Sequence, residues 1–64
     1  MTYQEYRNEL FAKFESFGFI ESPLIDDEIG NLHQMGVDTE AAFEIANDIY
    51  SGTEATEAFA AVLS

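Results

Sequence analysis

Three acidic residues, Glu40, Glu44 and Asp48, recur at intervals of four, which places their carboxylates in a column on one face of a helix. Successive members lie about 6 Å apart along the axis, because each residue adds about 1.5 Å of rise. Like charges at this spacing destabilise a helix, and no Lys or Arg lies nearby in the sequence to compensate them. Two interpretations stay open: a surface that binds a cationic partner, and an ordinary solvated face.

The acidic run Asp26-Asp27-Glu28 raises the question of a calcium site. A loop of the EF-hand type needs oxygen ligands at alternate positions, a glycine at the sixth position and a distant bidentate Glu. Counted from Asp26, Gly30 is at the fifth position, so the run does not fit this template. Acids in the first turn of a helix, where they interact favourably with the helix dipole, are the better interpretation. The sequence predicts no bound metal and no cofactor.

His33 is the only histidine, and catalysis would need a nucleophile or a paired acid held against it. The chain has no nucleophile motif and no glycine-rich phosphate loop. Its carboxylates are numerous enough for glycoside hydrolysis, but a chain of 64 residues offers little concave volume for a substrate. We therefore expect no catalytic residue and no enzymatic activity, with His33 as a polar residue on the flank of a helix.

The charge balance indicates which partners are favoured. Thirteen Asp and Glu residues against two Lys and Arg give a formal net charge of −11. Such a field repels nucleic-acid phosphates and anionic membrane surfaces, and it attracts a positively charged protein surface. Tyr50 is a candidate anchor for the contact with this protein surface, because a phenol can bury its ring and keep its hydroxyl in water. The predicted partner-binding residues are Glu40, Glu44, Asp48, Asp26, Asp27, Glu28, Tyr50, Glu54 and Glu57.

Start and stop signals divide the chain into four short helices, over residues 3–17, 23–35, 39–50 and 54–63. Thr2, Ser22, Asp38 and Thr53 are the predicted N-caps, with Pro23 at the first helical position of the second helix. Gly18, Gly36 and Gly52 are the predicted ends. No alternating run is long enough for a strand. The sequence predicts an all-α fold, a single helical domain over residues 1–64.

Apolar residues at helical spacing predict which faces form the core. Hydrophobic residues make up 47% of the chain, and nine of them are aromatic, six of these being Phe. The predicted apolar faces are Tyr3, Tyr6, Leu10, Phe11, Phe14 and Phe17 in the first helix; Leu24, Ile25, Ile29, Leu32 and Met35 in the second; Ala42, Phe43, Ile45, Ala46, Ile49 and Tyr50 in the third; and Ala55, Ala58, Phe59, Val62 and Leu63 in the last. A core of this size supplies only about 3–5 kcal/mol, so stabilisation by a partner or by a homodimer is possible.

The last two helices could be mistaken for a DNA-binding helix-turn-helix. A recognition helix needs Arg, Lys, Asn or Gln to contact bases and phosphates. Residues 53–64 contain none of the four and carry Glu54 and Glu57. We therefore expect no direct binding of nucleic acid. The absence of cysteine, of a long apolar segment and of a signal sequence favours the cytoplasm.

In its size, acidity and helical, cysteine-free composition, the whole chain resembles the small acidic proteins that phages use against host defences, anti-CRISPR proteins among them. The resemblance carries no motif, so it assigns no residue a role. It implies an inhibitor that occupies a basic, nucleic-acid-binding surface of a partner protein in the host cytoplasm. Acidic helical immunity proteins that neutralise basic nucleases are a related possibility. The alternative is a helical interaction or self-associating module whose acidity serves solubility.

Overall fold

The computed structural model describes residues 1–63, and these residues form four helices and no strand. The helices are α1 (Tyr3–Phe17), α2 (Asp26–Gln34), α3 (Thr39–Tyr50) and α4 (Ala55–Leu63). The predicted all-α fold is confirmed, and α1 and α3 have the predicted bounds.

Side chains that bind free backbone amides fix where α1 and α3 begin. The Thr2 hydroxyl accepts from the backbone N–H of Glu5 at 3.2 Å, and the Glu5 carboxylate accepts from the Thr2 N–H at 2.9 Å. The bond from the Thr2 backbone lowers the pKa of Glu5 below its ordinary 4.5, because it stabilises the charged form. The Asp38 carboxylate accepts from the N–H of Ala41 at 2.8 Å. Both predicted caps are confirmed.

A repeated glycine turn ends the first three helices. Gly18 has φ 96° and Gly36 has φ 76°, a left-handed conformation in which a side chain would be strained. The residue after each glycine donates its N–H to a carbonyl five positions earlier, from Phe19 to Phe14 and from Val37 to Leu32. Gly52 and the residue after it end α3 in the same way. These turns satisfy carbonyls that the helix leaves free and return Phe19 and Val37 toward the core.

The second helix begins later than the predicted residue 23. The Ser22 hydroxyl does not cap a helix: it donates to the Leu24 carbonyl at 2.7 Å and accepts from the Leu24 N–H at 3.3 Å. This tight turn directs Leu24 into the core. The N-cap of α2 is Ile25, whose N–H is bound by the Glu28 carboxylate at 2.9 Å. Asp26 is the first helical residue because burial of Leu24 outweighs the Ser-Pro start signal.

The last helix begins one residue after the predicted position 54. The predicted cap, Thr53, donates its backbone N–H to the Asp48 carbonyl at 2.9 Å and so completes the end of α3. Glu54 precedes α4, and its carbonyl accepts from the N–H of Ala58 at 2.9 Å. The turn that ends α3 thus extends through Thr53, and α4 begins one residue later than predicted.

The helices meet around one apolar core. Helix α1 packs against α2 and α3, and α3 packs against α4. Leu10, Ile29, Leu32 and Ile45 are the largest fully buried side chains. The buried apolar residues are Tyr6, Leu10, Phe14, Leu24, Ile29, Leu32, Ala42, Ile45, Ala46 and Ala58. Each helix contributes at least one of them, as the apolar spacing predicts.

Several residues of the predicted apolar faces lie outside this core. Phe17 is 59% exposed and Ile25 is 63% exposed, and both lie at helix termini. Met35, Tyr50 and Leu63 are exposed for the same reason. Periodicity assigns a residue to a face, but the neighbouring helix must also extend far enough to cover it. The predictions that Phe17, Ile25, Met35 and Leu63 face the core were therefore wrong, whereas Tyr50 was also predicted as an exposed anchor.

The core assignment leads to a stability prediction. Leu10→Ala removes a fully buried side chain and is expected to lower the free energy of unfolding by about 2–5 kcal/mol. Ile20→Ala, at a residue that is 89% exposed, is expected to change it by no more than about 0.5 kcal/mol. Urea denaturation followed by circular dichroism measures both. Equal losses for the two variants would contradict this core.

Candidate functional site

The three carboxylates of α3 lie on the side of the helix that faces away from the core. Ala42, Ile45 and Ala46 on the same helix are buried. Glu40 and Glu44 are exposed, and Asp48 is half-buried. None of the three accepts a side-chain hydrogen bond or forms an ion pair with the residues described. We call Glu40, Glu44 and Asp48 the α3 column.

The rest of the chain offers the α3 column little compensation. Nine of the thirteen acidic residues lie between positions 26 and 57, a stretch without Lys or Arg. The two basic residues, Arg7 and Lys13, are both on α1. Asp48 also lies in the last turn of α3, where a negative charge is unfavourable to the helix dipole. Glu40 lies in the first turn, where a negative charge is favourable, so the column destabilises α3 through the position of Asp48 and through repulsion between successive carboxylates.

The acids of α2 are used differently. Asp26 pairs with the Arg7 guanidinium of α1 at 3.3 Å, the only ion pair among residues 1–63. Glu28 binds the N-terminal backbone of its own helix. Asp27 is exposed without a recorded partner in the described chain. Because Asp26 and Glu28 already make contacts that favour folding, they need no external partner to explain them.

Glu54 and Glu57 are exposed at the beginning of α4, which packs against α3. A negative charge at the start of a helix is favourable, so these two acids, like Glu40 in the first turn of α3, have a local explanation that Glu44 and Asp48 lack. The nine predicted partner-binding residues thus fall into two groups. One group belongs to the α3–α4 pair, and the other, Asp26, Asp27 and Glu28, belongs to α2 beside α1.

An exposed aromatic surface, which the sequence did not predict, adjoins α3. Tyr50, predicted as an anchor, is 50% exposed, and its ring lies 4.4 Å from that of Phe19. Phe19 stacks on Phe43 at 5.8 Å, and Phe17 makes edge contacts with both Phe19 and Phe43 at 5.2 Å. We call Phe17, Phe19, Phe43 and Tyr50 the aromatic patch. The glycine turn after α1 creates it, because this turn brings Phe19 back between α1 and α3.

A shallow groove runs from the aromatic patch between α1 and α3. Its volume is about 410 Å³, and it opens broadly to solvent. The groove is present because the α1 wall carries the small residues Ala12 and Ser16 beside the large rings of Phe17 and Phe43. Glu9 and Lys13 complete the lining. Glu9 does not pair with Lys13 four residues later; its carboxylate accepts from the buried Thr39 hydroxyl and links α1 to the start of α3.

His33 contacts the N-terminal segment and two tyrosines of α1. Its Nε2 lies 2.9 Å from the carbonyl oxygen of Met1, and its ring packs against Tyr3 and Tyr6 with centroids 6.0 and 5.2 Å away. Within residues 1–63, no three His, Cys, Asp or Glu side chains are grouped to hold a metal ion. The contacts of His33 place it between α1 and α2.

Tyr6 lies in the core, and its hydroxyl links two parts of the fold. It donates to the Val37 carbonyl at 2.7 Å and so ties α1 to the turn between α2 and α3. Burial raises the pKa of Tyr6 above its ordinary 10.0, and the charge of Asp38 raises it further. Every buried side-chain polar atom among the described residues has a hydrogen-bond partner.

The chain matches no protein-family model, no curated protein and no solved structure. None of the helices in residues 1–63 has both the length and the apolar character required to cross a bilayer. The chemistry of its own residues is therefore the basis for a functional proposal.

Glu44→Gln tests whether the α3 column is strained. Glu44 has an acidic neighbour four residues away on each side, and each such pair costs about 0.2–0.5 kcal/mol. The variant is expected to raise the free energy of unfolding by about 0.4–1 kcal/mol at low salt, and by less at high salt. Glu21→Gln removes the same charge from an exposed loop and is the control. Equal changes for the two variants in urea denaturation would contradict a local repulsion.

Tyr6→Phe tests the bond from α1 to Val37. Its loss is expected to lower the free energy of unfolding by about 1 kcal/mol at neutral pH. Above pH 10 the unfolded phenol loses its proton before the folded one, so stability falls as pH rises toward the raised folded pKa. The variant is expected to lack this part of the alkaline loss, whereas Tyr50→Phe is expected to retain it. An unchanged alkaline profile in Tyr6→Phe would contradict the assignment.

Proposed function

We propose that this chain is a non-enzymatic inhibitor that binds a basic, nucleic-acid-binding surface of a partner protein. By occupying that surface it would exclude the nucleic acid, in the manner of phage anti-defence proteins such as anti-CRISPR proteins. Its proposed place of action is the cytoplasm, that of the host cell if the chain is phage-encoded.

The observation that carries this proposal is the α3 column. Its three carboxylates lie on an outward face and repel one another along a single helix. None of them pairs with a cation among the described residues. Their spacing of about 6 Å per step is similar to that of consecutive phosphates along a nucleic-acid strand. A cationic surface that binds phosphates would therefore meet carboxylates at a spacing similar to that of its phosphate ligands.

The charge of the whole chain would assist this encounter. A net charge of −11 on 64 residues gives a field that attracts a basic protein over long range and speeds association. The same field disfavours nucleic acid and anionic membranes as direct ligands. The proposed ligand is thus a basic partner protein, and not the nucleic acid that the partner binds.

The aromatic patch favours a second candidate, a helical interaction or self-associating module. Phe17 and Tyr50 are 59% and 50% exposed, and they offer apolar area that could be covered by another helix or by a second copy. In that case the acids would serve solubility, and binding would respond little to salt. Salt dependence therefore distinguishes the two candidates.

Paired charge removals test the proposed inhibitor. Glu40→Gln/Glu44→Gln removes two charges from the α3 column, and Glu15→Gln/Glu21→Gln removes two exposed charges elsewhere. The immobilised chain is used to capture proteins from the cells in which it acts, and each captured protein is assayed for nucleic-acid binding with and without the chain. We expect capture of a basic nucleic-acid-binding protein whose nucleic-acid binding the chain inhibits.

The first variant is expected to lose this inhibition by about tenfold or more, and the control by much less, because truncation of central charged contacts costs about 2 kcal/mol or more. High salt is expected to release the partner from the unmodified chain. Equal inhibition by both variants, or capture that does not respond to salt, would exclude the charge-led mechanism and favour the second candidate.

A further inference from the structure

The aromatic patch and the acidic α3 column are parts of one continuous surface. Phe43 belongs to the patch and lines the groove, and it follows Glu40 by three residues and precedes Glu44 by one. On a helix, residues three or four positions apart are neighbours. An apolar contact area therefore lies beside the Glu40 carboxylate, and Glu44 continues the α3 column one turn further along the helix.

The chain contains one internal example of what binds such a combination. The Arg7 guanidinium lies 4.2 Å from the centre of the Phe11 ring and pairs with Asp26 at 3.3 Å. Arginine suits this arrangement because its planar cation stacks on an aromatic face while its N–H groups bind a carboxylate. On the aromatic patch, Phe17 and Tyr50 have exposed rings, and no Arg or Lys among the described residues stacks on either of them.

We propose that the aromatic patch and its groove bind an arginine-bearing amphipathic segment of a partner protein. An apolar side chain of that segment occupies the groove beside Phe17 and Phe43. Arginine side chains stack on the exposed rings and pair with Glu40 and Glu44. This inference rests on the proposed function and specifies it: the basic surface that is recognised also carries apolar side chains.

Charge complementarity selects this occupant over the others. A second copy would bring another chain of net charge −11 against the same carboxylates. A segment that is only basic would leave the groove unfilled. Lys13 is the one basic residue that lines the groove. It forms no ion pair with Glu40 or Glu44, so both carboxylates can pair with arginine.

Synthetic peptides provide a probe. One is an amphipathic helical peptide with Leu on one face and Arg on the other, and its match has the same Arg residues with Ser in place of Leu. Binding of each labelled peptide is measured by fluorescence anisotropy at low salt. The unmodified chain is expected to bind the Leu/Arg peptide at least about tenfold more tightly than the Ser/Arg peptide, the equivalent of about 1.4 kcal/mol.

Two variants locate the contact. Phe17→Gln removes an exposed ring and is expected to weaken Leu/Arg binding by about tenfold or more. Ile25→Gln, at a residue of similar exposure beside α2, is the matched control and is expected to leave it unchanged. Ser16→Trp fills the groove from its α1 wall without removing a core side chain and is expected to weaken binding as Phe17→Gln does. Circular dichroism establishes that each variant is folded.

The possible failures are distinguishable. Equal affinity for both peptides, reduced by Glu40→Gln/Glu44→Gln but not by Phe17→Gln, would overturn this inference and leave the proposed function intact. Absence of binding to either peptide at low salt would overturn both. A dimer in sedimentation that Phe17→Gln dissociates would identify a second copy as the occupant and overturn the arginine-bearing segment.

Discussion

Packing of α1 against α3 is the interaction on which the rest of this structure depends. Leu10 and Ile45 are fully buried, and the other helices are added to this pair, α2 against α1 and α4 against α3. Two polar contacts reinforce it, from Tyr6 to the turn before α3 and from Thr39 to Glu9. With no disulfide and few large buried side chains, the core has little excess stability to offset repulsion among thirteen carboxylates.

That constraint separates the acidic residues into two kinds. Glu5, Glu28 and Asp38 bind backbone N–H groups at the start of helices, and Asp26 pairs with Arg7, so their charges assist folding. Glu44 and Asp48 do none of this, and together with Glu40 they add repulsion to a helix that the core needs. The distinction matters because total charge alone could be an adaptation for solubility. Repulsion within the α3 column, on a helix that the core needs, is the reason for proposing that the column contacts a partner.

The starts of α1 and α3 and the glycine turns that end the first three helices were the most predictable parts of the fold, because their signals are local. Thr2 with Glu5, Asp38, and the glycines at 18, 36 and 52 act through backbone atoms within a few residues. The start of α2 was not predictable from Ser22 and Pro23, since burial of Leu24 depends on α1 and the rest of the core. Likewise, spacing placed Phe17 on an apolar face but could not show that no helix covers it. The α3 column followed from periodicity, whereas the aromatic patch needed the tertiary position of Phe19.

The juxtaposition of the α3 column and the aromatic patch resolves a difficulty with charge alone as a basis for recognition. Exposed charges steer association, but they contribute modest affinity because water and salt screen them. Exposed rings supply desolvated contact area but little discrimination between apolar partners. On this chain Phe43 joins the two, because it lines the groove and stands between Glu40 and Glu44 in the sequence of α3. A partner that covers the rings would also exclude water from the neighbouring carboxylates, which strengthens each ion pair that it forms. Specificity would then arise from the requirement that cations and apolar side chains arrive together.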